Sequence, residues 1–185
     1  MFNDIEELEN EVKNCNRCKL CQNRKNVVFG IGKTDADIMF IGEGPGADED
    51  IQGIPFVGKA GQLMDKAFVG IGIKREEVYI ANIVKCRPPG NRNPEKDEVE
   101  ACLNYLRNQV MLIKPKIIVL LGNVALKNIL GEEYGITQSR GKIIEQKGIK
   151  YLPTYHPAAL LRDESKKIDF WQDLKLLKEE YEKIK

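Results

Sequence analysis

One carboxylate, Glu43, lies in a glycine-rich turn at the end of a predicted strand. The apolar run 38–41 predicts a buried strand, and the sequence Gly-Glu-Gly-Pro-Gly at 42–46 ends it abruptly. Glycine lets the backbone turn tightly and approach a ligand, which makes Gly42 and Gly44 candidates for the border of a pocket. Ligands of open α/β sheets bind at the carboxyl ends of the strands. The turn therefore predicts a binding site that contains an acid.

Three further side chains could recognise a flat, polar ligand there. Phe56 stands in a polar, glycine-rich loop just before a predicted helix. Asn82 is predicted within a strand, where asparagine is disfavoured, so it either faces water at an edge or points its amide at a ligand. His156, the only histidine, follows a strand and precedes Pro157, and this place in a turn favours a functional role over a structural one.

Five cysteines could supply metal ligands. Cys15, Cys18 and Cys21 are evenly spaced, Cys86 follows the second predicted strand, and Cys102 lies on the next predicted helix. The acidic N-terminus does not resemble a secretory signal, and in a reducing compartment clustered cysteines are more often ligands than disulfides. A structural zinc usually draws on two compact pairs, whereas this scattered arrangement also suits an iron–sulfur cluster. The alternative is that Cys86 and Cys102 are inert core thiols, which the polar neighbours of Cys86 argue against.

Basic residues concentrate in the loops after the predicted strands. They are Lys85, Arg87, Arg92, Arg140, Lys142 and Arg162. The net charge of +1 gives no global argument for nucleic acid, so any contact with DNA must be local. These loops predict a rim that contacts phosphates.

Strands and helices alternate along the chain and would bring these residues together. Strands are predicted at 36–41, 78–84, 117–121 and 150–154, and helices at 3–14, 60–70, 94–113, 122–130 and 169–185. We expect Asn93 to cap the helix from Pro94. This order predicts a parallel sheet with helices on both faces, whose strand ends converge on one rim.

The overall composition is that of an ordinary globular protein, with 42% hydrophobic and 31% charged residues. At 185 residues the chain is expected to form one domain, 1–185. No apolar stretch approaches the roughly 20 residues that span a membrane, so we expect a cytoplasmic protein.

Four separated motifs resemble those of the family 4 uracil-DNA glycosylases, iron–sulfur enzymes typical of thermophilic bacteria and archaea. The motifs are Gly-Glu-Gly-Pro-Gly at 42–46, Pro-Phe-Val-Gly at 55–58, Asn82 followed by Lys-Cys-Arg-Pro-Pro at 85–89, and His-Pro at 156–157. They stand in the expected order between Cys15 and Arg162. The resemblance implies a three-layer α/β/α sandwich with a central four-stranded parallel sheet.

The resemblance also implies a 4Fe-4S cluster. Its ligands would be Cys15, Cys18, Cys86 and Cys102, and it would tie the N-terminal segment 1–25 to the domain. Cys21 is not a ligand position in the family's pattern, so it would be a spare thiol or an alternative ligand. We expect the cluster to be structural, because hydrolysis needs no redox chemistry.

The implied roles in base recognition suit a nucleotide flipped out of the stack. Phe56 would stack on uracil, and Gly42 and Gly44 would belong to the same substrate-binding site. Asn82 would recognise the N3–H and O4 edge, whose donor and acceptor order is reversed in cytosine. Glu49 would crowd the position of a thymine methyl, or else be an ordinary exposed acid.

The implied catalytic residues are Glu43, His156 and Asn91. His156 would act as a neutral donor to the uracil O2, where negative charge develops. Glu43 would orient or activate the attacking water, or stabilise the cationic sugar. Asn91 matches a second active-site position without an assigned task.

The implied DNA-contacting residues are Arg87, Leu160, Leu161 and Arg162. The stretch 157–162 would lie against DNA, and Leu160 or Leu161 would fill the gap left by the flipped base. The alternative for both leucines is packing at the start of a helix.

These expectations describe a monomeric, monofunctional enzyme that removes uracil from single- or double-stranded DNA, with replication or repair proteins as partners. Two alternatives stay open. One is a related glycosylase that prefers another deaminated base, although Glu43 argues against it. The other is a non-catalytic iron–sulfur module that binds DNA, which would need neither Glu43 nor His156.

Overall fold

The computed structural model describes residues 2–185, which form six β-strands and eight α-helices. The strands are β1 (Ile31–Gly32), β2 (Ile38–Gly42), β3 (Tyr79–Asn82), β4 (Ile117–Leu121), β5 (Ile144–Gln146) and β6 (Ile149–Thr154). The helices are α1 (Ile5–Lys13), α2 (Ala47–Gln52), α3 (Lys59–Ile71), α4 (Lys96–Ile113), α5 (Gly122–Leu130), α6 (Ile136–Ser139), α7 (Pro157–Arg162) and α8 (Lys166–Ile184). Short 3-10 turns lie at Lys19–Gln22, Arg75–Glu77 and Pro89–Asn91.

The strands form one mixed sheet in the order β1-β3-β2-β4-β6-β5. The four inner strands are parallel, which confirms the predicted central sheet. The two edge strands are antiparallel and were not predicted. They have only two and three residues, too few for an alternating pattern to be visible in the sequence.

Helices cover both faces of the sheet, as expected for parallel strands. Every residue of β2 and β4 is buried, and their side chains alternate between two apolar cores. Phe40 belongs to the core that includes residues of α3 and α8. Met39 belongs to the core that includes residues of α1, α4 and α5. The result is the expected three-layer arrangement.

Helix α4 begins later than predicted, at Lys96, and Glu95 rather than Asn93 is its N-cap. The carboxylate of Glu98 accepts the backbone N–H of Glu95 at 2.7 Å. The side chain of Arg92 binds the same carboxylate and also donates to the carbonyl of Asn93. These contacts hold the residues before Glu95 out of the helix, so the expected cap at Asn93 is wrong.

The parallel strands place their carboxyl ends at one edge of the sheet, where Gly42 of β2 pairs with Asn82 of β3. The N-terminal segment packs near this edge, and its Leu8, Val12 and Leu20 are part of the core that contains α4. Among residues 2–185 there is no helix both long enough and apolar enough to cross a membrane.

Candidate active site and cysteine cavity

A cavity of about 650 Å³ opens at the carboxyl ends of the parallel strands. Its size is that of an ordinary small-ligand site. The predicted site residues that line it are Glu43, Gly44, Glu49, Phe56, Asn82, Asn91, His156 and Arg162. The structure therefore brings together side chains that are up to 119 positions apart, since 162 − 43 = 119.

Gly42 does not line this cavity, in contrast to the expectation that it contacts the ligand. A Cβ atom at this position would lie 2.5 Å from Oδ1 of Asn82 and 2.6 Å from Cζ of Phe56. Gly42 thus lies behind the pocket and leaves the space in which Asn82 and Phe56 come together.

The Phe56 ring is held firmly in the pocket. Its residue has a φ of +53°, in the left-handed region that rarely suits a side chain other than glycine. Helix α3 approaches so closely that a Cβ on Gly61 would lie 1.9 Å from the Phe56 carbonyl oxygen. Such backbone strain, about 1–3 kcal/mol, persists where the surroundings impose it, and it clusters at binding sites.

Asn82 ends β3 and is buried, with 2% of its surface exposed. It lies at the end of β3 rather than in mid-strand, and its burial excludes the alternative that it faces water at an edge of the sheet. Its Oδ1 atom has no hydrogen-bond partner in the described part of the chain. A buried acceptor without a donor is destabilising by about 1–3 kcal/mol, so the atom is suited to receive a donor from a ligand.

His156 caps α7, and its Nδ1 accepts the backbone N–H of Ala158 at 3.0 Å. Burial, helped by the positive charge of Arg162 and opposed by Glu49, lowers the pKa of His156 to about 4. The ring is therefore neutral at pH 7, with its proton on Nε2. Its centroid lies 5.5 Å from that of Phe56, with the planes tilted by 30°. The expected neutral donor is thus available.

The Glu43 side chain is half-buried at the turn after β2. Burial raises the pKa of this carboxyl, and the charge of Arg162 partly offsets the rise. Its backbone carbonyl accepts the N–H of Val84 at 3.1 Å, which fixes the turn against the segment after β3. A carboxylate fixed in this way at a cavity wall can bind water or stabilise a cation.

Glu49 is an organising residue of the same wall. Its carboxylate accepts the backbone N–H groups of Gly46, Val57 and Gly58 at 3.0–3.1 Å. It thereby joins the turn that carries Glu43 to the loop that carries Phe56. The alternative of an ordinary exposed acid is wrong.

A second cavity lies between the N-terminal segment, the residues after β3 and helix α4. All five cysteines line it, with Arg17, Arg24, Lys85 and Tyr105 among the other lining residues. Arg24 donates to Sγ of Cys86 at 3.4 Å, and the backbone N–H of Lys85 donates to Sγ of Cys102 at 3.3 Å. Donors of this kind stabilise negative charge on sulfur.

The side chains of this second cavity suit a group bound through sulfur. Burial raises the pKa of Cys86, and that of Cys102 to about 11, so these thiols would lose their protons only to a strongly positive centre. Tyr105 is 1% exposed and its hydroxyl has no partner in residues 2–185. No three His, Cys, Asp or Glu side chains of that range form a site for a single metal ion. Five thiols around one cavity fit a group larger than one ion.

Comparison with known proteins identifies the family. The model of the uracil DNA glycosylase superfamily matches residues 29–175. The chain belongs to the uracil DNA glycosylase superfamily. It is 45% identical to a type-4 uracil-DNA glycosylase of Sulfurisphaera tokodaii, across 100% of this chain and 84% of the relative. It is 46% identical to a type-4 uracil-DNA glycosylase of Thermotoga maritima, across 89% and 86%. It is 30% identical to a type-5 uracil-DNA glycosylase of Pyrobaculum aerophilum, across 70% and 64%.

The phosphate-contacting rim of this uracil DNA glycosylase superfamily member is smaller than predicted. Lys85 is buried with 1% exposure, and Arg140 forms an ion pair with the buried Asp173 at 2.5 Å. Lys85 is therefore unable to contact DNA and the prediction is wrong for it, while the charge of Arg140 is already paired within the protein. Arg92 lines the cavity but binds Glu98 through two hydrogen bonds of 2.7 and 2.9 Å.

The other predicted rim residues are accessible. Arg162 is exposed at the mouth of the cavity, and Lys142 is exposed too. Arg87 is partly exposed, and its Nε donates to Oδ1 of Asn91 at 2.7 Å. Asn91 has a φ of +56°, so this contact holds a strained turn beside the cavity.

The two leucines of α7 have different environments. Leu160 is completely buried in the core that contains α3 and α8, so it cannot enter DNA, and the expectation for it is wrong. Packing at the helix start, the alternative, is correct for Leu160. Leu161 is 46% exposed and remains able to fill a gap in a duplex.

The sequence did not predict the positions of three residues around the cysteine cavity. Arg24 reaches Cys86 across 62 positions of the chain, Tyr105 enters the cavity from α4, and the Lys85 side chain reaches Gln109 of the same helix. Lys85 lies in a polar loop motif, which gave no signal that its side chain would be buried.

Proposed function

We propose that the protein hydrolyses the N-glycosidic bond of uracil in DNA and leaves an abasic site, which starts base excision repair. The observation that carries this proposal is the unpartnered, buried Oδ1 of Asn82 beside the Phe56 ring in an open cavity. A flat base with a donor on its edge would satisfy the amide and stack on the ring. The names of the type-4 relatives support the same substrate.

Asn82 and Phe56 would select the base together. Oδ1 of Asn82 accepts the N3–H of uracil, and its amide N–H₂ group donates to O4. Cytosine presents an acceptor and a donor in the opposite order, so it would leave two buried groups unpaired. Glu49 faces the same cavity, and we propose that it borders the C5 position, where thymine carries a methyl group.

His156 and Glu43 would carry the bond cleavage. The bond between C1′ and N1 breaks, and uracil leaves with the electron pair as an anion. The Nε2–H of His156 donates to O2 and stabilises this charge without transferring its proton. Glu43, as a carboxylate, stabilises the cationic sugar and takes a proton from the water that attacks C1′. Asn91, on the same wall, is a further candidate for positioning that water.

The cysteine cavity would hold a 4Fe-4S cluster through Cys15, Cys18, Cys86 and Cys102. Cys21 lines the same cavity and is the reserve ligand. When bound, the cluster would supply thiolate–iron bonds that cross-link the chain and no step of the excision. It would tie segment 1–25 to the strand-end loop and to α4, so that residues 1–185 act as one domain.

Contact with DNA would come from the accessible residues of the rim. Arg87 and Arg162 would bind phosphates, and Leu161 would enter the space left by the flipped base. Four further properties stay predictions. They are the use of both single- and double-stranded DNA, action as a monomer, a cytoplasmic location, and partnership with replication or repair proteins.

The direct test uses an end-labelled oligonucleotide with one uracil, incubated with protein and then cleaved by alkali. The expected result is cleavage at uracil, with none in a matched thymine oligonucleotide and much slower cleavage with the Glu43→Gln variant. Cleavage at other deaminated bases in place of uracil would support the altered-specificity alternative. Binding without cleavage at any base would support the non-catalytic module.

A further inference from the structure

Lys85 is an ammonium group buried in the apolar interior. It is 1% exposed, and no carboxylate of residues 2–185 forms an ion pair with it. Its Nζ donates to the carbonyl oxygen of Asn82 at 3.0 Å and to Oε1 of Gln109 at 2.5 Å. The Phe29 ring lies nearby, with its centroid 5.9 Å from Nζ. Burial of an unpaired cation is strongly unfavourable, so this arrangement needs a functional explanation.

The carbonyl of Asn82 needs a donor because β3 lacks a neighbouring strand at this point. The edge strand β1 pairs only with Ile80 and Tyr79 and ends before it reaches Asn82. On the other side, β2 pairs with β3 through to Asn82. The Lys85 side chain turns back by three residues and supplies the hydrogen bond that a strand would otherwise give.

Gln109 holds the lysine in this orientation from helix α4. Its Nε2 donates to the carbonyl of Phe29 at 2.9 Å and to Oη of Tyr79 at 3.2 Å, which leaves Oε1 facing Lys85. Gln109 is completely buried and lies two helical turns after Cys102. The base pocket and the cysteine cavity are therefore joined through α4.

Lys85 also belongs to the cysteine cavity itself. Its backbone N–H donates to Sγ of Cys102, and Cys86 is the next residue. One residue thus contacts a cysteine with its main chain and the base-recognising strand end with its side chain.

We propose that Lys85 is a positioning residue for base selection, which holds the end of β3 so that the Asn82 amide faces the uracil edge. Because Lys85 also lines the cysteine cavity, the packing around the cysteines determines how well the protein selects uracil over cytosine. This inference rests on the proposed role of Asn82 in recognising uracil.

The test compares Lys85→Met, which keeps the length of the side chain, with the wild type. We expect free uracil to bind about tenfold more weakly by calorimetry, and the ratio of kcat/KM for uracil over cytosine to fall by at least as much. The visible absorbance of the cluster should be retained. Gln109→Met should change affinity and ratio in the same direction by less, and the double variant should be no worse than Lys85→Met alone.

Leu174→Ala is the control for lost stability, because Leu174 is buried in the core that contains α3 and α8. It should lower the melting temperature and leave both the uracil affinity and the base ratio unchanged. If Lys85→Met and Gln109→Met behave like Leu174→Ala, the positioning role is wrong. If Lys85→Met does not fold, Gln109→Met alone decides between these outcomes. A wild-type protein that neither binds nor excises uracil would overturn the proposed function itself.

Discussion

The backbone N–H of Ala158 donates a hydrogen bond of 3.0 Å to Nδ1 of His156, the only histidine of the chain. An imidazole bound in this way cannot carry a proton on Nδ1 without losing the bond. Its remaining proton, on Nε2, then points toward the cavity that Phe56 and Asn82 also line. A single local contact at the start of α7 thus sets the tautomer of the side chain, while burial keeps it neutral.

The stability of the protein should depend on pH through His156. The folded protein keeps this residue neutral down to about pH 4, whereas its ordinary pKa is 6.5. Between these values the unfolded chain binds more protons, so stability is full above about pH 6.5 and falls as the pH falls toward 4, by at most about 3 kcal/mol. Chemical unfolding across this range measures the effect. His156→Asn keeps an acceptor for Ala158, and its curve should lack this component. If the free energy of unfolding depended on pH equally in the wild type and in His156→Asn, the lowered pKa assigned to His156 would be contradicted.

Glu43→Gln should reduce kcat by about 10²–10⁴-fold with little change in the affinity for uracil-containing DNA, because the amide keeps the shape and loses the charge. Single-turnover excision and fluorescence anisotropy give the two quantities. Glu49→Gln is the matched comparison. It should weaken the backbone contacts of the Phe56 loop, raise KM and lower the melting temperature. A similar loss of DNA binding in both variants would mean that Glu43, like Glu49, positions the loops around the cavity.

Asn82→Asp should shift base selection from uracil toward cytosine. A carboxyl group that keeps a proton can donate to the N3 acceptor of cytosine, and a carboxylate repels the O4 of uracil. The ratio of kcat/KM on uracil and cytosine oligonucleotides measures the shift. An unchanged ratio would remove Asn82 as the residue that recognises the base edge.

Cys86→Ser should remove most of the visible absorbance of the cluster and lower the melting temperature, since it deletes one proposed thiolate. Cys21→Ser is the control within the same cavity and should retain both. The reverse result, with colour lost only from Cys21→Ser, would exchange the assigned ligands. Iron and sulfide analysis of anaerobically purified protein independently gives the number of iron and sulfide ions per chain.

The neighbouring leucines of α7 offer a matched pair. Leu160→Ala should destabilise the protein by about 2–5 kcal/mol, because it leaves a hole in the core. Leu161→Ala should have little effect on stability and should lower excision from double-stranded more than from single-stranded DNA. Equal activity of Leu161→Ala on both substrates would show that this side chain does not fill the duplex.

Much of the sheet and of the pocket could be predicted from the sequence, for physical reasons. The strand Ile117–Leu121 and the helix Gly122–Leu130 were predicted with their observed bounds, because a fully buried apolar run followed by glycine is a strong local signal. Glu43 and His156 follow strands, and parallel topology alone brings such residues together. These parts of the site depend on local pattern and strand order.

Other features depend on contacts between distant segments and could not be predicted in this way. Lys85 was assigned to a solvent-exposed rim, but α4 supplies Gln109 as its partner and buries it. Arg140 looked like a free loop cation, but Asp173 on α8 binds it. In both cases the partner is more than 20 positions away, and the sequence around each cation resembles that of an exposed loop.

The two short antiparallel strands at the edges of the sheet, β1 and β5, affect how the protein behaves at high concentration. A parallel sheet with long free borders would offer unpaired N–H and C=O groups to other chains and could recruit them into aggregates. Here β1 and β5 cover part of the outer sides of β3 and β6 and themselves present only two and three residues. Strand addition therefore has almost no template, and the fold is protected against self-association through its backbone while its ligand cavity stays open.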